Sequence, residues 1–123
     1  MSELSMGASE MRFADLIWRS EPISSTQLAK LCEQELGWKK STTYTVLKRL
    51  CEKGIFQNQD SIVTSCMSER EFHARRSENF VEETFSGSLP AFLTAFTERR
   101  QLSSEELSEI RRMIDSLEAE KKS

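Results

Sequence analysis

The sequence predicts a mostly α-helical chain: a winged helix-turn-helix domain with a small β-hairpin wing over residues 1–67, then a helical dimerisation module over residues 68–123. Three observations carry that prediction. A capped helix is followed by a glycine turn and a second helix with a polar, basic outer face. A strand-turn-strand pattern comes directly after that second helix. The rest of the chain then places most of its phenylalanines at helical spacing.

The first helix is expected from about Ala8 to Arg19, with Phe13, Ala14, Leu16 and Ile17 on one side and Met6 packing back from outside its start. Glu21-Pro22 closes it, because the residue before a proline is pushed out of the helical region. The second helix opens at a capping box, Ser24 to Gln27, with Ile23 and Leu28 spaced as a hydrophobic staple. Leu28, Leu31 and Cys32 form its inner stripe, and Gly37 ends it.

The third helix is expected from near Ser41 to Lys53-Gly54, with Ser41 or the residues before it as the cap. Wound at 3.6 residues per turn, Thr43, Val46, Leu47 and Leu50 share an inner face. Ser41, Tyr44, Thr45 and Lys48 share the outer one, with Thr42 and Arg49 at its edges and Lys39-Lys40 just ahead. These are donors suited to base edges and phosphates. Such a helix taken alone is more often an ordinary solvated one. Its neighbours decide otherwise, because a short helix joined to it by a glycine turn acts as a brace.

After Gly54 the period changes. Ile55-Phe56-Gln57 and Ile62-Val63-Thr64 flank the turn-rich tetrad Asn58-Gln59-Asp60-Ser61, which reads as a hairpin. A hairpin directly after a recognition helix is a wing.

Three more helices follow. One is capped by Ser68 with Glu71, carries Phe72, Phe80, Val81 and Phe85, and ends at Gly87. Leu89, Phe92, Leu93 and Phe96 form a stripe on the next, expected to be buried, with Pro90 near its start. The last starts at a box from Ser103 to Glu106 and presents Leu107, Ile110, Ile114 and Leu117. So small and apolar a unit is marginal alone. Burial against a second copy solves this, so Phe80, Phe85, Leu89, Phe92, Leu93, Phe96, Leu107, Ile110 and Ile114 are expected to form a dimer interface that pairs two readers on an inverted repeat in double-stranded DNA.

The composition fits that reading. The net charge is −3, yet the stretch from Trp38 to Gly54 holds five basic residues against the single acid Glu52, and distribution decides nucleic-acid contact. From Glu69 onward twelve acidic residues oppose nine basic ones. Three cysteines, Cys32, Cys51 and Cys66, lack metal-ligand spacing and read as free thiols in a reducing compartment. With no membrane-spanning stretch and no targeting segment at the start, a cytoplasmic location is expected. Neither metal nor cofactor is expected. The single histidine, His73, has no partners suited to general-base chemistry, and no glycine-rich phosphate loop exists, so an enzyme is disfavoured.

Leu16-Ile17-Trp18, Gly37-Trp38, Thr42, Thr45, Leu47, Arg49-Leu50 and Lys53-Gly54 all stand in one order, followed by Gly87, Phe92 to Phe96, Leu102-Ser103, Glu105-Glu106-Leu107 and Ile110. In these residues the chain resembles the BlaI/MecI penicillinase-repressor family of bacterial winged-helix regulators. The resemblance implies a homodimeric repressor on a palindromic operator, with base contacts from Tyr44 and Thr45 and phosphate contacts from Ser41, Thr42 and Arg49. It further implies relief by a membrane sensor protease that cuts within the dimerisation module. The matching bond is Ala95-Phe96, where the family's usual asparagine is replaced by alanine. The family's copper-responsive branch carries closely spaced cysteines near the C-terminus, and the run from Leu117 to Ser123 has none. The rival reading is a winged-helix module that binds protein, favoured by the acidic total charge and by a wing without lysine or arginine between Ile55 and Met67.

Overall fold

A computed structural model describes residues 6–122, so the reading of the first five residues as free of a targeting signal lies outside the described residues. Nine elements follow one another among them: α1 (Ala8–Ser20), β1 (Ile23–Ser24), α2 (Ser25–Leu36), α3 (Lys40–Glu52), β2 (Phe56–Gln59), β3 (Ile62–Ser65), α4 (Glu69–Phe85), α5 (Leu89–Arg99) and α6 (Ser104–Lys122). This is the winged-helix order that the sequence predicts. The chain divides into two compact units, one ending at Phe80 and the other starting at Val81. The division falls inside α4.

In the first unit the apolar stripes of three helices close on the wing. Phe13, Ile17, Leu28, Leu50, Ile55 and Val63 are all fully buried, each worth about 1.5–3 kcal/mol against exposure. Met6 packs into this core from just ahead of α1, as expected. Phe72 of α4 is fully buried in the same cluster. Two tryptophans pin the edges. Trp38 stacks on Phe13 with centroids 5.2 Å apart. Trp18 lies 5.3 Å from Phe56 and 5.4 Å from Phe72, and its indole N–H donates to the Met67 carbonyl at 3.1 Å.

The sheet corrects the sequence reading twice. It has three strands, in the order β1-β3-β2, all antiparallel. The missing strand, β1, pairs Ile23 with Val63 and Ser24 with Ile62, so Ile23 is a sheet residue as well as a neighbour of the core. Ser24 also caps α2, its hydroxyl accepting from the Gln27 N–H at 3.1 Å. The hairpin turn is tighter than the expected tetrad: Gln59 already pairs with Ile62, leaving Asp60 and Ser61 as a two-residue loop at φ 52° and 66°. Positive φ at both positions gives the turn the twist that antiparallel strands require. The Glu21 carboxylate then fastens the end of α1 to the wing, accepting from the Ser65 N–H at 2.9 Å and from its hydroxyl at 2.8 and 2.9 Å.

The second unit is built differently. Ser88 caps α5 through the Ala91 N–H at 3.1 Å. At α6 the capping box is complete: the Ser103 N–H donates to Glu106 Oε1 and the Glu106 N–H donates to Ser103 Oγ, both at 3.1 Å. Phe92 meets Phe85 edge-on at 5.6 Å and Phe96 at 6.0 Å. Neither α5 nor α6 holds a buried residue. Within the single chain Phe92 and Leu93 of the α5 stripe are half-buried, while Leu89 and Phe96 are exposed. Periodicity identifies the apolar face of a helix but not what covers it.

Candidate nucleic-acid interface

The candidate interface is the outer face of α3, and α2 holds it in place. Gly37 ends α2 in the left-handed region at φ 67°, a conformation that costs glycine nothing. The chain then turns through Trp38 into α3. Thr43, Val46, Leu47 and Leu50 are buried on its inner face, so Lys40, Ser41, Thr42, Thr45, Lys48 and Arg49 point outward.

The helix begins one residue earlier than expected, with Lys39 at the N-cap and no side-chain cap. Of the two expected alternatives the cap is thus a residue before Ser41, which itself lies inside the first turn. Lys39, Lys40, Ser41 and Thr42 are all exposed there. Lys40 Nζ sits over the Tyr44 ring, 5.9 Å from its centroid, a cation–π contact that steadies both side chains. Tyr44 is half-buried on the flank of the face. Thr45 is exposed, and its hydroxyl donates to the Ser41 carbonyl at 2.9 Å. That bond commits the hydroxyl proton, leaving Thr45 with an outward methyl and an acceptor oxygen. Lys48 is exposed one turn on. Arg49, on the opposite flank, faces Glu10 of α1 across 3.7 Å.

Sequence reasoning did not find Glu10. Its pairing joins two separate helices, and no local pattern announces it.

The wing carries amides and hydroxyls. Gln57, Asn58 and Gln59 are exposed along β2, and Gln57 Nε2 donates across the strands to Thr64 Oγ1 at 3.0 Å. The acid Asp60 lies in its turn. No lysine or arginine stands on the wing, whereas the outer face of α3 carries Lys40, Lys48 and Arg49.

Cys32 is buried behind α3, and burial pushes its thiol up, partly offset by the Thr43 hydroxyl. Burial likewise raises the half-buried Cys51, with Cys66 and Glu52 adding to the shift. Both thiols stay protonated, poor nucleophiles. Among the described residues no three metal-ligating side chains converge.

The residues expected at a dimer interface lie on α4, α5 and α6. Phe80, Leu89, Phe96, Leu107 and Ile114 are exposed, while Phe85, Phe92, Leu93 and Ile110 are half-buried. Met113 and Leu117 belong with them by exposure. Met113 escaped the sequence reading although it stands three residues after Ile110. The Ala95-Phe96 bond lies in the body of α5 with both residues exposed.

Comparison with known proteins supplies the family. The family model described as "Penicillinase repressor" matches residues 6–116. The chain belongs to the penicillinase repressor family. It is 24% identical over 114 residues to the methicillin resistance regulatory protein MecI of Staphylococcus aureus (strain Mu50 / ATCC 700699), covering 89% of this chain and 93% of that protein. It is 25% identical over 117 residues to the penicillinase repressor of Bacillus licheniformis, covering 92% and 91%. The MecI protein of Mammaliicoccus sciuri is 23% identical over 114 residues, covering 89% and 93%. As a member of this family the chain is a DNA-binding transcriptional repressor. No helix among the described residues is long and apolar enough to cross a membrane.

Proposed function

We propose that this repressor acts as a cytoplasmic homodimer that reads an inverted-repeat operator in double-stranded DNA through the outer face of α3. The observation that carries the proposal is the exposed line Ser41, Thr45 and Lys48 on a helix whose opposite face is buried in the core. Lys39 and Lys40 at its start are placed for phosphates, which fix register. Tyr44 and Thr45 are placed for bases, the Thr45 methyl suiting thymine and its acceptor oxygen suiting an amino group. Dimerisation through α4–α6 covers the exposed apolar faces and doubles the base contacts.

The test is binding to a duplex holding the inverted repeat upstream of the chain's own gene, against scrambled duplex, across salt. Operator-selective affinity whose logarithm falls linearly with log salt is expected. Equal weak binding to both duplexes would favour the protein-binding module instead, the reading that the acidic wing tip and the net charge of −3 support. Lys39→Ala or Lys40→Ala should weaken all duplexes alike and flatten the salt slope. Thr45→Ala should cost on the order of 1 kcal/mol, mainly on the operator. Identical behaviour of the two classes would overturn the division of roles.

We further propose relief by a membrane sensor protease cutting between Ala95 and Phe96 in α5, the bond that the resemblance to the family marks. Co-expression with the cognate sensor should give a fragment ending at Ala95. Release of an intact repressor would sink this route.

A further inference from the structure

Glu10 lies in the first turn of α1, outside the face proposed to meet DNA. Its side chain is 22% exposed, and its Oε1 stands 3.7 Å from Arg49 Nη2, whose side chain is 49% exposed. The other carboxylate oxygen, Oε2, is buried and has no hydrogen-bond partner among the described residues. A carboxylate so poorly solvated needs a cation beside it, because an uncompensated charge withdrawn from water is costly. Arg49 meets that need. Its guanidinium has five N–H donors in a fixed fork, and its exposed half remains open to a phosphate.

We infer that Glu10 is an internal counter-anion for Arg49, a positioning residue that withholds part of the charge of α3 from DNA phosphate. A phosphate approaching Arg49 competes with Glu10 for one cation, and drawing the guanidinium away would strand the buried carboxylate oxygen. Phosphate carries no sequence information. Glu10 therefore lowers affinity for every duplex alike and leaves discrimination between duplexes to Tyr44 and Thr45. This inference rests on the proposed DNA-binding reading.

The test uses the full chain with Glu10→Gln, Arg49→Ala and both together, each binding the inverted-repeat and scrambled duplexes across salt, below its thermal unfolding midpoint. E10Q is expected to tighten both duplexes by about two- to fivefold, the range set by a partly exposed ion pair. It should leave their ratio unchanged and steepen the log–log salt slope by about one, as for one added phosphate contact. R49A should weaken both duplexes, and E10Q should add nothing on the R49A background. Glu10→Asp, which keeps the charge but draws it back, should give a smaller gain than E10Q. Unchanged or weakened binding by folded E10Q overturns the inference, as does an equal gain without Arg49, which would mark simple repulsion between Glu10 and DNA. If the unaltered chain reads the inverted repeat while E10Q changes nothing, only this inference fails. Absence of operator selectivity in the unaltered chain fails the proposed function first, and this inference with it.

Discussion

The two units use the same kind of helix for opposite ends. In the first, Phe13, Phe56 and Phe72 are 0%, 1% and 0% exposed. In the second, helices with equally regular apolar stripes leave Leu89, Met113 and Leu117 at 56%, 63% and 58%. The difference lies in closure. The winged unit crosses its helices and adds a sheet, so every stripe meets another. The second unit leaves α5 and α6 without a buried residue, which suits surfaces that are completed by association.

Phe72→Ala tests the closed side and should have the largest effect. It removes a fully buried ring from the cluster around Trp18, at a cost of about 3–5 kcal/mol. Denaturant unfolding followed by tryptophan fluorescence measures it. A loss under about 1 kcal/mol would show that α4 is not part of the core, since a buried aromatic deletion does not come so cheaply.

Leu117→Asp tests the open side. It should leave the first unit's unfolding unchanged while removing about 1.5 kcal/mol of apolar burial from each protomer of a dimer, roughly a hundredfold in the dissociation constant. Sedimentation equilibrium reads the result. An unaltered dimer would place the interface elsewhere.

Ser103→Ala is smaller, about 1 kcal/mol and confined to the start of α6, visible as lost amide protection in its first turn. The smallest effect is one of pH at the same cap. The Ser103 backbone N–H and then its hydroxyl hold the Glu106 carboxyl below its ordinary value. A lowered folded-state pKa means that the contribution is fully present above the ordinary carboxylate range and is lost as pH falls through the lowered value. Protection of the first turn of α6, corrected for intrinsic exchange, should thus be full at pH 7 and reduced at pH 3. Equal protection at both pH values would show that the box contributes nothing.

Local features were legible in the sequence. The caps at Ser24, Ser68 and Ser103 each bond the N–H three residues on, because a capping box is written within four consecutive positions. The inner face of α3 was legible for the same reason, its spacing being fixed by the helical repeat. What escaped was non-local. The strand Ile23–Ser24 exists only through its pairing with Val63 and Ile62, and a two-residue strand has no alternation to detect. The pairing of Arg49 with Glu10 joins α3 to α1, so the spacing within α3 does not announce it. The apolar stripe on α5 is legible too, but amphipathicity in a single chain does not say what covers it.

The placement of Phe72 has one more consequence. The core of the first unit runs from Met6 to Phe72, so a chain severed anywhere beyond Phe85 keeps every residue of it. In the proposed homodimer, scission there would alter valence rather than remove a core residue. Two tethered readers hold an operator with an avidity set by their mutual effective concentration, and two separated ones have only their single affinities. Under the proposed dimeric reading, such a cut would leave behind a folded but weak monovalent binder.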